Sequence, residues 1–327
     1  MSELAVRMAQ AGGPEVMVLA SVVLADPGPG EVRIRHVACG LNYIDIYHRS
    51  GAYPLPTPTG LGMEGSGVVE AVGPEVTHLA VGDRVAYASQ PAGAYATARV
   101  MPARCVVRLP EFLSFEQGAA MMLKGLTVQY LLRKTLPQDG LQSGDFILFH
   151  AAAGGVGLIA CQWAKALGLQ LIATAGSDDK CALALRHGAA FAINYQRENF
   201  ADRVREITGG AGVKVVYDSV GATTWEGSLA SLRPFGLMVS FGSASGAVPP
   251  IALSALAGKA LYLTRPSIFV HLSSQAATQA MADDLFEVVR SGAVSIEVEN
   301  RYALKEVQQA HREMESRRTT GSGVLLV

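Results

Sequence analysis

Residues 150–168, HAAAGGVGLIACQWAKALG, constrain the fold more than any other part of the chain. An apolar run of buried-strand length, Phe146, Ile147, Leu148 and Phe149, leads into them. Beyond the glycines, Val156, Ile159, Ala160, Trp163, Ala164 and Leu167 recur at helical spacing, and Gly168 stands where a helix would stop. The pattern is strand, small-residue turn, helix. Set against G-x-G-x-x-G, the turn reads Ala152, Ala153, Gly154, Gly155, Val156, Gly157, with alanine in place of the first glycine. Gly154 would admit a pyrophosphate close to the backbone, and Gly157 would let helix and strand pack closely. The helix N-terminus would turn its unpaired N–H groups toward the phosphates. On its own such a turn also suits an ordinary α/β protein; the flanking strand and helix favour a dinucleotide site.

The surrounding sequence alternates in the same way. Strands are expected at 169–175, 191–195, 213–219, 237–241 and 260–264, and helices at 178–187, 198–208 and 224–232. Strands alternating with helices imply a parallel, doubly wound sheet whose ligand crevice lies beyond the C-terminal strand ends. That rule selects residues 152–157, Gly176, Ser177, Tyr195, Ser219, Val220, Gly242 and Ser243 as the rim.

The first third has another texture. Short β-like runs at 16–24, 32–38, 65–72, 84–87, 95–100 and 105–109 are separated by turns such as Asp26-Pro27-Gly28-Pro29-Gly30. These predict a barrel-like β unit with little room for long helices. From about residue 266 the tail offers a helix at 274–291, a strand at 294–302, a helix at 304–315 and a final strand at 323–327. The expected domains are 1–124, 125–265 and 266–327, the last returning to the first.

Composition narrows the partners. With 27 basic and 28 acidic side chains, charged residues at 17 % and hydrophobic ones at 50 %, no excess charge favours nucleic acid or an anionic membrane. The start, MSELAVRMAQAGG, has no signal-peptide pattern, and no apolar run approaches the length of a membrane span. Cys39, Cys105, Cys161 and Cys181 show neither CxxC nor Cys/His spacing, which argues against a disulfide framework or a structural zinc lobe. A cytoplasmic protein with a small neutral substrate fits best.

The coenzyme follows from the tip of the second strand. An NAD site places a carboxylate there for the ribose 2′-hydroxyl. Here the strand ends Ala175-Gly176-Ser177, with Lys180 three residues on, and small residues with a cation suit a 2′-phosphate. Asp178 and Asp179 read as first-turn acids favoured by the helix dipole. The expected coenzyme is NADPH.

Many further stretches agree, in order, with one family: Gly12-Gly13-Pro14-Glu15-Val16, Leu41-Asn42-Tyr43-Ile44-Asp45, Arg49-Ser50-Gly51-Ala52-Tyr53-Pro54, Gly82-Asp83-Arg84-Val85, Lys124-Gly125-Leu126-Thr127, the AAAGGVG turn, Tyr217-Asp218-Ser219-Val220-Gly221, and Ser316-Arg317. Over nearly its whole length the chain resembles the zinc-independent, zeta-crystallin-like quinone oxidoreductases of the medium-chain dehydrogenase/reductase superfamily. The resemblance implies a GroES-like β-barrel catalytic domain joined to a Rossmann domain, assembled as a homodimer. Alcohol dehydrogenases of that superfamily hold a catalytic zinc through Cys-Gly-x-Cys and Gly-His-Glu segments; here those places read Cys39-Gly40-Leu41-Asn42 and Gly62-Met63-Glu64, so no metal is expected. Zinc stabilises an alkoxide, whereas a quinone is already electrophilic.

Carried over by the resemblance, Asn42, Asp45 and Tyr47 would surround the nicotinamide ribose, with Thr127 near the ring. Gly154, Gly155 and Val156 would take the pyrophosphate; Ser177, Lys180, Tyr195 and Arg317 would meet the 2′-phosphate end; Ser219, Phe241, Gly242 and Ser243 would line the groove. The expected reaction is hydride transfer from NADPH to a quinone stacked in the cleft between domains, by positioning and by hydrogen bonds to the developing oxyanion. Asn42, Tyr47 and Tyr53 are the candidate catalytic donors. One-electron transfer stays open beside the two-electron route. Two other readings are an NADPH-dependent enone or alkenal double-bond reductase and a non-catalytic dinucleotide or RNA binder; near-neutral charge weighs against RNA. A methyltransferase is disfavoured by the missing acid at the second strand tip.

Overall fold

The computed structural model describes residues 3–136, 140–316 and 318–327. In chain order the strands are β1 (Glu3–Met8), β2 (Val18–Val22), β3 (Glu31–Leu41), β4 (Thr59–Gly60), β5 (Glu64–Val72), β6 (Arg84–Ala88), β7 (Ala98–Pro102), β8 (Val106–Arg108), β9 (Phe146–Phe149), β10 (Gln170–Ala175), β11 (Phe191–Asn194), β12 (Val213–Asp218), β13 (Leu232–Ser240), β14 (Tyr262–Thr264), β15 (Asn300–Ala303) and β16 (Gly323–Leu326). The helices are α1 (Tyr43–Ser50), α2 (Phe115–Lys134), α3 (Gly155–Ala166), α4 (Asp178–Arg186), α5 (Phe200–Ile207), α6 (Trp225–Ser231), α7 (Ser254–Ala257), α8 (Ile268–His271), α9 (Gln275–Arg290) and α10 (Val307–Glu315).

The chain divides into two compact units. One comprises Met1–Leu126, His271–Arg290 and Ile296–Val327; the other comprises Thr127–Val270 and Ser291–Ser295.

The first unit is built around β3. Along one edge β3 pairs antiparallel with β5; along the other it pairs first with β7, through Glu31 to Arg35, and then with β16, through Ala38 to Leu41. Register shifts near Ile34 and Ala38 bend this long strand, which is how one strand serves three partners in a GroES-like sheet. A smaller antiparallel sheet, β2-β1-β4, stands beside the seven-stranded one. Alternate residues of β3, Val32 and Ile34, join Val69, Val85, Tyr87 and Met101 in one apolar core, while Val6, Met8, Leu41, Leu61, Tyr95 and Val307 form another.

The second unit is a six-stranded sheet in the order β11-β10-β9-β12-β13-β14, every pairing parallel. This is the strand order of the doubly wound dinucleotide fold, and its crevice opens where the order reverses, between β9 and β12. The strands are short and apolar because helices cover both faces. Leu148, Ile172, Ile193, Val216 and Met238, one from each of five strands, share a core with Val204 and Trp225.

Two expectations need correction. The twenty-residue helix α2 spans what reads in sequence as a featureless change of texture near residue 125. Residues 118–132 are buried throughout, so no polar face exists to generate a 3.6-residue period. The expected strand at 294–302 is ladder-paired only from Asn300. Val294 and Ile296 alternate with exposed Ser295 and Glu297, so the period of two there reports burial without pairing.

Candidate active site

The glycine turn lies at the C-terminal end of β9. Ala151 adopts a left-handed conformation (φ 55°), Gly154 caps α3, and the backbone N–H of Gly154 closes the turn on Ala151 O at 3.0 Å. A Cβ on Gly157 would fall 2.5 Å from Ala152 Cα and O, so only glycine lets α3 lie this close to the turn. Gly155 and Val156 form the first turn of α3, where N–H groups lack intrahelical partners.

Beneath the turn sits a polar cluster that local pattern does not reveal. His150 Nδ1 faces Thr174 Oγ1 at 2.8 Å and Nε2 faces Ser228 Oγ at 2.9 Å. Asp218 accepts from Ser228 Oγ at 3.0 Å, Thr224 Oγ1 at 2.7 Å, and the N–H groups of Val220 and Gly221 at 2.7 and 3.0 Å. Burial lowers the His150 pKa, opposed by the nearby Asp218 charge. The cluster ties the ends of β9, β10 and β12 to α6 and so fixes the crevice.

At the tip of β10, Ser177 caps α4 by accepting from Lys180 N at 3.3 Å. The Tyr195 hydroxyl would lie 2.7 Å from a Cβ on Gly176, so any side chain there would displace the ring. Asp178 is drawn toward β11: Asn194 Nδ2 and Arg197 Nη1 each donate to it at 2.7 Å. Those bonds, Asn194 first, hold its carboxyl below the usual range. Both oxygens are thereby engaged, and the strand tip presents Ser177, Lys180 and Tyr195. Arg317 lies outside the described residues.

At the ends of β12 and β13, Phe241 N donates to Asp218 O at 2.8 Å, and Phe241 packs on Phe149 with centroids 5.8 Å apart. Gly242 approaches Ser219 so closely that a Cβ would sit 2.6 Å from its carbonyl oxygen. Arg265 donates to Ser240 Oγ at 3.1 Å and Ser243 Oγ at 3.2 Å. Thr127 bonds Tyr130, whose hydroxyl is raised chiefly by burial and lowered in part by the Arg265 charge. Tyr130 and Arg265 carry no sequence motif; only the fold assembles them with Thr127 and Ser243.

In the first unit the candidates lie on α1 and just after it. Asn42 caps α1: its N–H donates to Asp45 Oδ2 at 3.0 Å, and Asp45 N donates back to Asn42 O at 3.0 Å. Asp45 is 0 % exposed, and Tyr95 Oη donates to the same Oδ2 at 2.7 Å. Burial pushes its pKa up to about 7, opposed by the Tyr95 and Asn42 hydrogen bonds. Asp45 is thus enclosed, with the Asn42 N–H and the Tyr95 hydroxyl both on its Oδ2. Behind Tyr95, His311 Nε2 lies 3.3 Å from Tyr95 Oη, and Arg49 Nη1 donates to His311 Nδ1 at 3.3 Å. A guanidinium can only donate, so Nδ1 accepts and Nε2 carries the hydrogen. Burial lowers the His311 pKa to about 3, in keeping with that neutral ring. Arg49 ends on Glu315 in a two-pronged ion pair at 2.5 and 3.1 Å.

The half-buried rings of Tyr43, Tyr47 and Tyr53 form a cluster, with centroids 5.3 Å apart for Tyr43–Tyr47 and 4.7 Å for Tyr47–Tyr53. Tyr53 N donates to Tyr47 O at 3.0 Å, closing the loop after α1. Asn42 Nδ2 donates to Glu64 Oε2 at 2.7 Å, joined there by Lys124 Nζ at 3.2 Å, while Leu123 N donates to Glu64 Oε1 at 2.8 Å.

Comparison with known proteins decides the family. The alcohol dehydrogenase GroES-like domain matches residues 28–111, and the zinc-binding dehydrogenase domain matches 155–287. A quinone oxidoreductase of Pseudomonas aeruginosa is 54 % identical over 98 % of both chains. The crystal structure of Escherichia coli quinone oxidoreductase complexed with NADPH superposes with a TM-score of 0.96 at 47 % identity, over 99 % of this chain and 100 % of that one. This chain belongs to the quinone oxidoreductase family of the medium-chain dehydrogenase/reductases. A 2-haloacrylate reductase of Burkholderia is 41 % identical over 96 % of both chains.

Both matched domains are named for dehydrogenases, and one of the names is of a zinc-binding kind. Among the described residues no cluster of three or more His, Cys, Asp or Glu could hold a metal. Cys39 turns its thiol to Ala94 O at 2.9 Å, and burial pushes that thiol up to about 12. Asn42 and Lys124 instead both donate to Glu64. Among the described residues no helix is long and apolar enough to cross a membrane.

Proposed function

We propose that this chain is an NADPH:quinone oxidoreductase. The reading rests on its 54 % identity to a quinone oxidoreductase over 98 % of both chains. The residues fit the coenzyme. The first turn of α3, entered through Gly154, offers unpaired N–H groups to a pyrophosphate, the Gly157 contact leaves no room for a side chain, and a serine and a lysine stand where an NAD site has its acid. Bound NADPH supplies the hydride.

Gly154, Gly155 and Val156 take the pyrophosphate; Ser177, Lys180 and Tyr195 take the 2′-phosphate end; Ser219, Phe241, Gly242, Ser243 and Thr127 line the remainder. Asn42, Tyr47 and Tyr53 hold the quinone and donate to its oxygens as charge builds there. Asp45 keeps Asn42 in place from beneath. Donors fixed before the reaction need no reorganisation during it, and a water-poor setting strengthens them.

The second reading, reduction of a carbon–carbon double bond conjugated to a carbonyl, is favoured by the likeness to the 2-haloacrylate reductase. A panel of quinones, alkenals and 2-haloacrylates, with NADPH consumption followed by absorbance, tests both. Fastest turnover with quinones is expected; fastest turnover with haloacrylates would reverse the assignment.

The chain functions as a homodimer in the cytoplasm. The edge strand β14 leaves Tyr262 and Leu263 exposed, an apolar edge of the kind that pairs with another chain. Four free, buried thiols suit a reducing compartment.

A further inference from the structure

Glu64 and Lys124 are 0 % and 5 % exposed, and they form an ion pair of 3.2 Å next to Asn42. Glu64 accepts on both oxygens: Leu123 N, Asn42 Nδ2 and Lys124 Nζ all donate to it. Lys124 is less fully paired. Its ammonium has three hydrogens, and among the described residues Glu64 is the one acceptor within hydrogen-bond distance. Spare donors on a buried charge are costly unless something visits them. Asp45, the other acid near this cation, is pushed by burial up to about 7 and makes no hydrogen bond to Lys124, so Glu64 is the acid that holds the ammonium. Glu64 Oε2 holds Lys124 Nζ and Asn42 Nδ2 on one oxygen, and Asn42 has a second amide hydrogen to offer.

We propose that Lys124 is a catalytic residue, donating charge and then a proton to the oxyanion formed when the acceptor is reduced. The proposal rests on the quinone-reductase reading. Hydride addition to a quinone leaves a hydroquinone monoanion with its charge on oxygen. The Nζ–H bond of Lys124 then breaks as the O–H bond forms, its electron pair stays on Nζ, and a proton from solvent restores the ammonium. The balance is quinone, NADPH and one proton giving hydroquinone and NADP+. Glu64 holds the ammonium in place, and its own charge limits how far Lys124 pulls on an unreacted neutral quinone.

The experiment separates this role from simple neutralisation of Glu64. Lys124→Met strands a buried carboxylate and can unfold the chain, so Lys124→Met/Glu64→Gln is made with it: the glutamine side chain keeps the length of the glutamate and an acceptor oxygen, and no charge is left unpaired. Circular dichroism establishes folding. Two readouts are taken, kcat with NADPH and 1,4-naphthoquinone, and the ionisation of 4-nitrophenol bound to coenzyme-free protein, followed by its phenolate absorbance. Wild-type protein should lower the apparent pKa of bound nitrophenol, and the folded double variant should not. The double variant should also lose about 100-fold in kcat, the scale of one oxyanion donor, with a smaller change in KM. A folded double variant with wild-type kcat, or the same nitrophenolate ionisation in both proteins, overturns the role. If wild-type protein consumes no NADPH with any quinone, the quinone reading fails, while the nitrophenol readout still judges Lys124.

Discussion

The Tyr95 hydroxyl donates to Asp45 Oδ2 at 2.7 Å, and Asp45 Oδ1 is buried with no partner among the described residues. Burial is the physical source of its raised pKa, and a buried carboxylate with hydrogen bonds on one oxygen only recovers little of what ionisation costs. In the unfolded chain Asp45 would titrate near its ordinary 3.8 and in the fold near 7. Between those values the folded state binds the extra proton, so this group's contribution to stability is fully present below pH 3.8 and is lost as pH rises through 7.

The first prediction follows for Asp45→Asn, which cannot ionise. Urea midpoints of wild-type and variant, taken at about pH 5 and about pH 8, should show that the wild type loses more stability across this range, by on the order of a few kcal/mol. Identical pH slopes would mean that Asp45 is not buried as described.

Gly157 carries the second. A methyl group there would meet Ala152 backbone atoms at 2.5 Å, and backbone cannot move aside as a flexible side chain does. Gly157→Ala should cost about 1–3 kcal/mol in urea unfolding and weaken NADPH binding by fluorescence titration, because α3 must lift from the turn.

Coenzyme choice turns on Ser177. Aspartate caps a helix as well as serine does, so Ser177→Asp leaves α4 capped while placing a carboxylate at the strand tip. The ratio of kcat/KM for NADPH over NADH should fall by about tenfold or more, a change of roughly 1.4 kcal/mol or greater. An unchanged ratio would place the 2′-phosphate elsewhere.

For assembly, Leu263→Lys puts a charge on the exposed edge of β14. Light scattering after size exclusion should report a dimer for wild type and a shift toward monomer for the variant. A variant dimer as stable as wild type would exclude this edge as the interface.

Much of the second unit was legible because its signals are local. Phe146 to Phe149, the small-residue turn and the helical spacing from Val156 to Leu167 lie within one short continuous stretch, and the parallel sheet follows from the repetition of that pattern. The absence of an acid at Ser177 was equally readable. Helix α2 was not, since a helix buried all round shows no periodic face. The buried polar groups were beyond reach for another reason: Arg49 meets His311 across 262 positions, Tyr95 meets His311 across 216, and His150 meets Ser228 across 78. Long-range pairs leave no pattern in a single sequence. Lys124 stood in a recognisable stretch, Lys124-Gly125-Leu126-Thr127, but its pairing with Glu64 depends on how the first unit folds.

The central claim is that reduced phosphorylated coenzyme passes hydride to a quinone on this chain, and steady-state coenzyme consumption tests it most directly. Purified protein is given 1,4-benzoquinone with NADPH or with NADH, and kcat/KM is measured for each coenzyme. The account predicts rapid oxidation of NADPH and at least a tenfold lower kcat/KM for NADH. Equal use of both coenzymes, or no oxidation of either in the presence of quinone, would contradict it.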